Sequence, residues 1–173
     1  MSHLESLIAE YLEWQGYLVK RNLKVGARER GGYEMELDIV ALDPKTQTIV
    51  HCEPSLDALT WDAREERYKK KFRLGKRYMF KEVFDWLPDT TDIEQIAVFP
   101  THPAGRDQIA GATIVSVDEL MAEIRSRVRK RGKMNKRAIS ERYPLLRTLQ
   151  LSHVGYCRVL DNSPREISKA DHT

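Results

Sequence analysis

Acids stand at every second position in Glu34-Met35-Glu36-Leu37-Asp38, and His51, Glu53 and Ser55 repeat that spacing further on. Side chains alternate faces along a strand, so each set shares one face if its segment is extended. Between them, Asp43-Pro44-Lys45-Thr46 is a turn signal, with proline pre-set for the second turn position. A hairpin then brings Asp38 and Glu53 side by side. Two close carboxylates repel, and are tolerated when a cation lies between them or one takes up a proton. Carboxylate oxygens, water and a phosphate oxygen are the usual surroundings of Mg2+. Such an ion activates water and stabilises the charge on a phosphodiester under attack. The plainer alternative is a solvated hairpin face, because charged residues mostly face water. The neighbours argue against it. Asp38 stands in Leu37-Asp38-Ile39-Val40-Ala41-Leu42, and Glu53 follows Ile49-Val50-His51-Cys52. Acids inside apolar strand runs need a partner.

The elements that must position these groups are legible from periodicity. Leu4, Leu7, Ile8, Tyr11 and Leu12 recur at helical spacing and predict a helix over 3–15. Ser2 and Glu5 have the spacing of a capping box, and Gly16 suits the stop. Strands are expected over 17–25, 33–42 and 47–53, the last two as a hairpin. A long helix is expected over 57–86, with Tyr68, Phe72, Met79 and Val83 roughly on one face and Gly75 near it for close packing. Strands at 93–99 and 112–117 follow, then a helix opened by Asp118 and running to about 130. The fold class this implies is α/β, a mixed central sheet of about five strands flanked by helices. A core domain over 1–131 and an extension over 132–173 are expected. In the extension, 143–151 reads as a short docked helix and 161–173 as disordered or loosely packed.

Glu5 in the first helix, Tyr11-Leu12, Gly16-Tyr17, Arg21-Asn22, Glu36-Leu37-Asp38-Ile39-Val40 and Ile49-Val50-His51-Cys52-Glu53 together resemble the PD-(D/E)XK nuclease superfamily. The likeness is to its Holliday-junction-resolvase-like and Mrr-like branches. It covers the motifs over 4–55 and extends by element order to about 130. The resemblance implies a restriction-endonuclease-like fold and metal-dependent cleavage of DNA, with Mg2+ or Mn2+ as cofactor. It makes Asp38 the first metal-binding acid and Glu53 the acid of the (D/E)XK triplet. Glu5 matches a helix-borne acid and Glu36 an acid two places before the Asp. Pro54 lacks an N–H but keeps a carbonyl that can join Asp38 and Glu53 on a metal.

The triplet departs from the pattern at its third place, where Ser55 replaces the expected lysine. A neutral, short hydroxyl cannot supply the ammonium charge that stabilises a hydroxide or the transition state. A displaced lysine is one answer, from Lys69, Lys70 or Lys71 in the following helix or from Lys24. Lys70 is the choice made here from sequence, as it lies on the helix just after the triplet. The alternatives are a catalytically inactive nucleic-acid-binding protein on the same fold, and a protein–protein adaptor with a structural acidic cluster.

Hydrophobic residues make up 41% of the 173 and the net charge is only +3, so total charge says little about partners. Its distribution says more. Eight basic residues fall between Arg64 and Arg77, and eight between Arg125 and Arg137 with no acid among the latter. Against a compact acidic site, this suits a nucleic-acid partner. Enzymes that cut both strands commonly act as homodimers. No apolar run approaches a span of ~20 residues, so no membrane contact is expected. The N-terminus lacks a signal-peptide pattern. Cys52 and Cys157 are too few for a disulfide framework and read as free thiols in the cytoplasm. His51 reads as a strand residue near the site and His102 as incidental. Trp14, Trp61 and Trp86 read as packing residues. No glycine-rich phosphate loop is present.

Overall fold

The computed structural model describes residues 2–153, without the side chains of 134 and 135. Helix α1 (His3–Gln15) opens the chain. The Ser2 side chain accepts from the Glu5 N–H while the Glu5 carboxylate accepts from the Ser2 N–H, and Gly16 closes the helix at φ 99°. This is the capping box expected from sequence, and it fixes where Glu5 stands.

Strands β1 (Leu18–Ala27), β2 (Tyr33–Leu42) and β3 (Ile49–Pro54) form an antiparallel meander. Helix α2 (Trp61–Tyr78) then crosses to β4 (Ile93–Phe99), which pairs parallel with β3. A parallel neighbour requires such a crossover. After β5 (Gln108–Ile109), β6 (Ala112–Ser116) pairs parallel with β4, giving one six-stranded mixed sheet in the order β1-β2-β3-β4-β6-β5. Helices α3 (Val117–Arg131), α4 (Met134–Arg137) and α5 (Pro144–His153) complete the described chain. The protein is therefore α/β, with helices on both faces of a mixed sheet.

Three boundaries differ from the sequence reading for physical reasons. The sheet has six strands rather than about five, because β5 pairs with β6 across a two-residue turn, Ala110 at φ 49° and Gly111 at φ 82°. Two positive φ angles are the hairpin geometry favoured by Asn-Gly or Asp-Gly, and Ala-Gly does not advertise it. The long helix starts at Trp61, not at residue 57. It ends at Tyr78, running on through a π-helical turn, Met79–Val83, so Trp86 is outside it. That turn presents Met79 and Val83 to the core together with Tyr78 and Phe84. Trp86 is 63% exposed, and its ring meets the buried Phe84 ring in a T-shaped pair at 5.5 Å between centroids. Helix α3 is capped by Ser116 with Glu119, two positions before the Asp118 expected to open it.

The core lies on both faces of the sheet. Val40, Leu42 and Ile49 pack toward Tyr78, Met79 and Val83, while Ile39, Ala41, Val50 and Cys52 pack toward Leu4 and Ile8 of α1. The described part of the C-terminal extension joins this core. Ile139 and Leu146 cluster with Leu7, Tyr11, Ile124 and Val128. The buried Glu10 carboxylate accepts the Leu146 N–H at 2.7 Å, at the open N-terminus of α5. Buried Gln150 accepts from Ile139 N and donates to the carbonyls of Gly132 and Arg137. The expectation for 161–173 and the thiol of Cys157 lie outside the described residues. Cys52 is a buried free thiol. Among the described residues, no helix is long and apolar enough to cross a membrane.

Candidate functional site

The site arises where β2 and β3 part. Their pairing runs Leu42–Ile49, Ala41–Val50, Val40–His51 and Ile39–Cys52, and stops. One further step of the same register sets Asp38 opposite Glu53. There the Asp38 N–H turns to the Glu53 carboxylate, reaching Oε1 at 3.3 Å. On the other side of β2, pairing with β1 skips Asn22, which is held at φ 50° between the Arg21–Ile39 and Leu23–Leu37 pairs. The irregularity shifts the alternation of faces. Leu37 packs with Val40 and Leu42, three and five residues away, whereas Ile39 and Ala41 pack on the opposite side.

This shift corrects the expectation that Glu34, Glu36 and Asp38 act from one face. Glu34 is taken by the Tyr78 hydroxyl. Glu36 accepts from Asn22 Nδ2 at 3.2 Å, and the same Nδ2 lies 3.4 Å from Glu5 Oε2. Only Asp38 meets Glu53. The two are joined by one ammonium: Lys71 Nζ lies 3.0 Å from Asp38 Oδ2 and also contacts Glu53 Oε2. Lys71 comes from α2, on the side that carries the buried residues Tyr68, Phe72 and Gly75. Tyr68, three places earlier, donates its hydroxyl to the Glu53 carbonyl at 2.9 Å.

Lys70, favoured from sequence, is not the lysine that reaches back. It lies exposed beside a separate depression with Arg73, Lys76 and Gln95. A helix turns about 100° per residue, so adjacent lysines cannot both face the sheet. Lys69 pairs with Glu66, and Lys24 lies over the ring of Tyr33. The signal for Lys71 was present in the sequence, because it stands three residues after Tyr68 and four before Gly75. Ser55 lies just past β3, where its N–H donates to the Val98 carbonyl and its hydroxyl accepts from the Asp57 N–H. It serves the turn out of the sheet.

Behind the pair sits His51, fully buried against the edge of Phe72. Its Nε2 is 2.8 Å from Glu53 Oε1. Of the other expectations, Trp61 packs against Phe99, as read from sequence. His102 lies between Glu119 and Asp107, away from the cleft.

These contacts divide the two acids electrostatically. Burial pushes the Asp38 carboxyl up to about 7, helped by its contact with Glu53 and opposed by Lys71. Burial works in the same direction on Glu53, but the His51 hydrogen bond, Asp38 and Lys71 outweigh it and hold that carboxyl at about 2. Lys71 loses hydration, yet the two acids keep its ammonium above the ordinary lysine range. Close acids with separated proton affinities are typical of sites that do chemistry.

A cleft of about 290 Å³ opens in front of the pair, bordered by Glu5, Asp38, Pro54, Ser55, Arg67 and Lys71. Glu36 is not on its wall. No model of a known protein family matches the chain, and no curated protein matches its sequence. Among the described residues, no three His, Cys, Asp or Glu side chains form a group able to hold a metal ion. The oxygen donors at the cleft are Asp38 and Pro54 on its wall, beside Glu5, with the Glu53 carboxylate fully buried against Lys71. They are hard oxygens, which suit Mg2+ or Mn2+ with the remaining positions filled by water. Lys71 holds the same two carboxylate oxygens, so the ammonium and an ion are alternatives there. Two basic surfaces flank the molecule. One follows α2, through Lys70, Arg73 and Lys76; the other is built by Lys130, Arg131, Lys133 and Arg137 at the end of α3 and around α4.

Proposed function

We propose that this chain is a Mg2+- or Mn2+-dependent DNA endonuclease of the PD-(D/E)XK type, with Lys71 as the displaced lysine. One observation carries the reading: a single ammonium from α2 touches both carboxylates that the sequence resemblance singled out. The triplet lacks its lysine at Ser55, and on this reading Lys71 supplies the missing charge to Asp38 and Glu53.

Asp38 Oδ2, Glu53 Oε2 and the Pro54 carbonyl would hold the ion. Bound there, it would lower the proton affinity of a coordinated water and offset charge on the phosphate. Lys71 would then release the carboxylates. Its four-carbon stem allows the shift, and its ammonium stabilises the hydroxide or the phosphorane charge from the cleft wall. Glu5 and Arg67 border the same cleft. Arg67 is held by Asp57 at 2.5 Å, and on this reading its guanidinium would meet a phosphate oxygen. The basic faces hold the phosphate backbone without reading sequence.

Nicking of supercoiled plasmid tests the proposal. Mn2+-dependent nicking is expected, with a loss of about 100-fold or more in Asp38→Ala and in Lys71→Met, the scale for removing one electrostatic stabiliser. Metal-independent activity, or none, contradicts it.

A second reading has its own support. The carboxylates are already neutralised by Lys71, and no three-residue metal group is found among the described residues. That arrangement suits a catalytically inactive nucleic-acid-binding protein. Salt-sensitive DNA binding unaffected by Mn2+, without nicking, is its signature.

A further inference from the structure

We infer that His51 is a positioning residue, which holds Glu53 so that a single oxygen, Oε2, faces Lys71 and the place where an ion would sit. The inference rests on the metal-site reading and extends it to a residue that never touches the ion or substrate.

Glu53 Oε1 has two donors behind it, His51 Nε2 at 2.8 Å and the Asp38 N–H at 3.3 Å. Oε2 points the other way, to Lys71. Held so, the fully buried carboxylate offers the Lys71 side one oxygen, and turning Oε1 toward it would break both bonds. A carboxylate fixed by a hydrogen bond behind it binds a small octahedral ion in one defined direction.

The ring that does this cannot turn. His51 is fully buried, with Phe72 edge-on at 5.1 Å between ring centroids. Across it lies Gly75 of α2, where an added Cβ would come within 2.5 Å of His51 Cε1 and 3.1 Å of Nδ1. Glycine at this helical position costs stability relative to alanine, and the close ring accounts for it. Nδ1 has no hydrogen-bond partner among the described residues. The tautomer with its proton on Nε2 therefore fits best, since it aims the donor at Glu53 and leaves only a lone pair unmet at Nδ1. An unmet buried polar atom is uncommon and calls for an explanation beyond packing.

Glutamine places an amide donor near the reach of histidine Nε2, whereas leucine fills the space with no donor. Mn2+ affinity, measured by calorimetry or by the spin-resonance signal of free ion, separates the roles. Wild type and His51→Gln are expected to bind within about threefold of each other. His51→Leu is expected to bind about 10- to 100-fold more weakly, the range for losing a supporting hydrogen bond. Gly75→Ala, which pushes the ring from behind, is expected to weaken Mn2+ binding in the same direction. It carries the test if His51→Leu fails to give a cooperative melt. Unchanged affinity in both His51→Leu and Gly75→Ala overturns the inference and leaves the metal reading standing. So does an affinity in His51→Gln as low as in His51→Leu. Absence of Mn2+ binding by the wild-type chain overturns the metal reading, and this inference with it.

Discussion

Among the described residues, acidic side chains are buried in two places, and the two are treated differently. At the junction of α1 and α5, Glu10 caps a helix through one backbone N–H while Gln150 meets three backbone groups. Where β2 and β3 part, Asp38 and Glu53 share one ammonium, and the histidine behind them keeps an unmet nitrogen. The first assembly is closed: each polar group has a fixed backbone partner, and nothing else is needed. On the proposed function the second is open to exchange, because an ammonium, a proton or a divalent ion would each relieve the same repulsion. Structural polar groups are satisfied once; a working site keeps the option of another partner.

The comparison is sharpest for Lys71. In metal-free protein, Lys71→Met leaves two close carboxyls without their shared cation and is expected to cost about 3 kcal/mol, the low end for breaking a buried pair, because Asp38 can take up a proton. Mn2+ should restore most of that. Denaturant melts with and without Mn2+ measure it, and an equal loss in both breaks the contrast between the two regions.

Proton linkage gives the next effect. Asp38 has a raised affinity in the folded protein, so the folded state binds the extra proton and stability falls as pH rises from about 4 to about 7. The loss is at most about 4 kcal/mol, since a tenfold change in proton affinity is worth about 1.4 kcal/mol. Glu53 works in the opposite sense, contributing stability that is lost only as pH falls toward about 2. Asp38→Asn should therefore flatten the curve between about pH 5 and about pH 7, as should saturating Mn2+. A slope that survives Asp38→Asn assigns the proton elsewhere.

Glu10→Ala should cost about 1–3 kcal/mol by leaving the Leu146 N–H without its acceptor, and Mn2+ affinity should not move. A change in Mn2+ binding would couple the two regions that are held here to be separate. The smallest effect lies at the far surface. Lys133→Ala or Arg137→Ala should weaken DNA binding evenly across sequences and lower the salt slope by about one each, with no effect on Mn2+ binding.

Much of this was legible in the sequence. The capping box at Ser2 and Glu5, the strands 33–42 and 93–99, and the meeting of Asp38 with Glu53 follow from local spacing. What escaped depended on departures from regular geometry or on partners distant in sequence. Asn22 at φ 50° breaks the alternation that had put Glu34, Glu36 and Asp38 on one face. Choosing Lys71 over Lys70 needed the phase of α2 against the sheet, which the stripe Tyr68, Phe72 and Gly75 encodes. The role of His51 needed the depth at which α2 crosses it, and only the packed Gly75 reveals that.

A crystal of the protein grown with Mn2+ and read by anomalous scattering tests the central claim most directly. An ion is expected on Asp38 Oδ2 and Glu53 Oε2, with the Lys71 ammonium moved off both oxygens yet still within the cleft. Lys71 still seated between the two carboxylates at saturating Mn2+, with no anomalous peak beside it, would contradict the account.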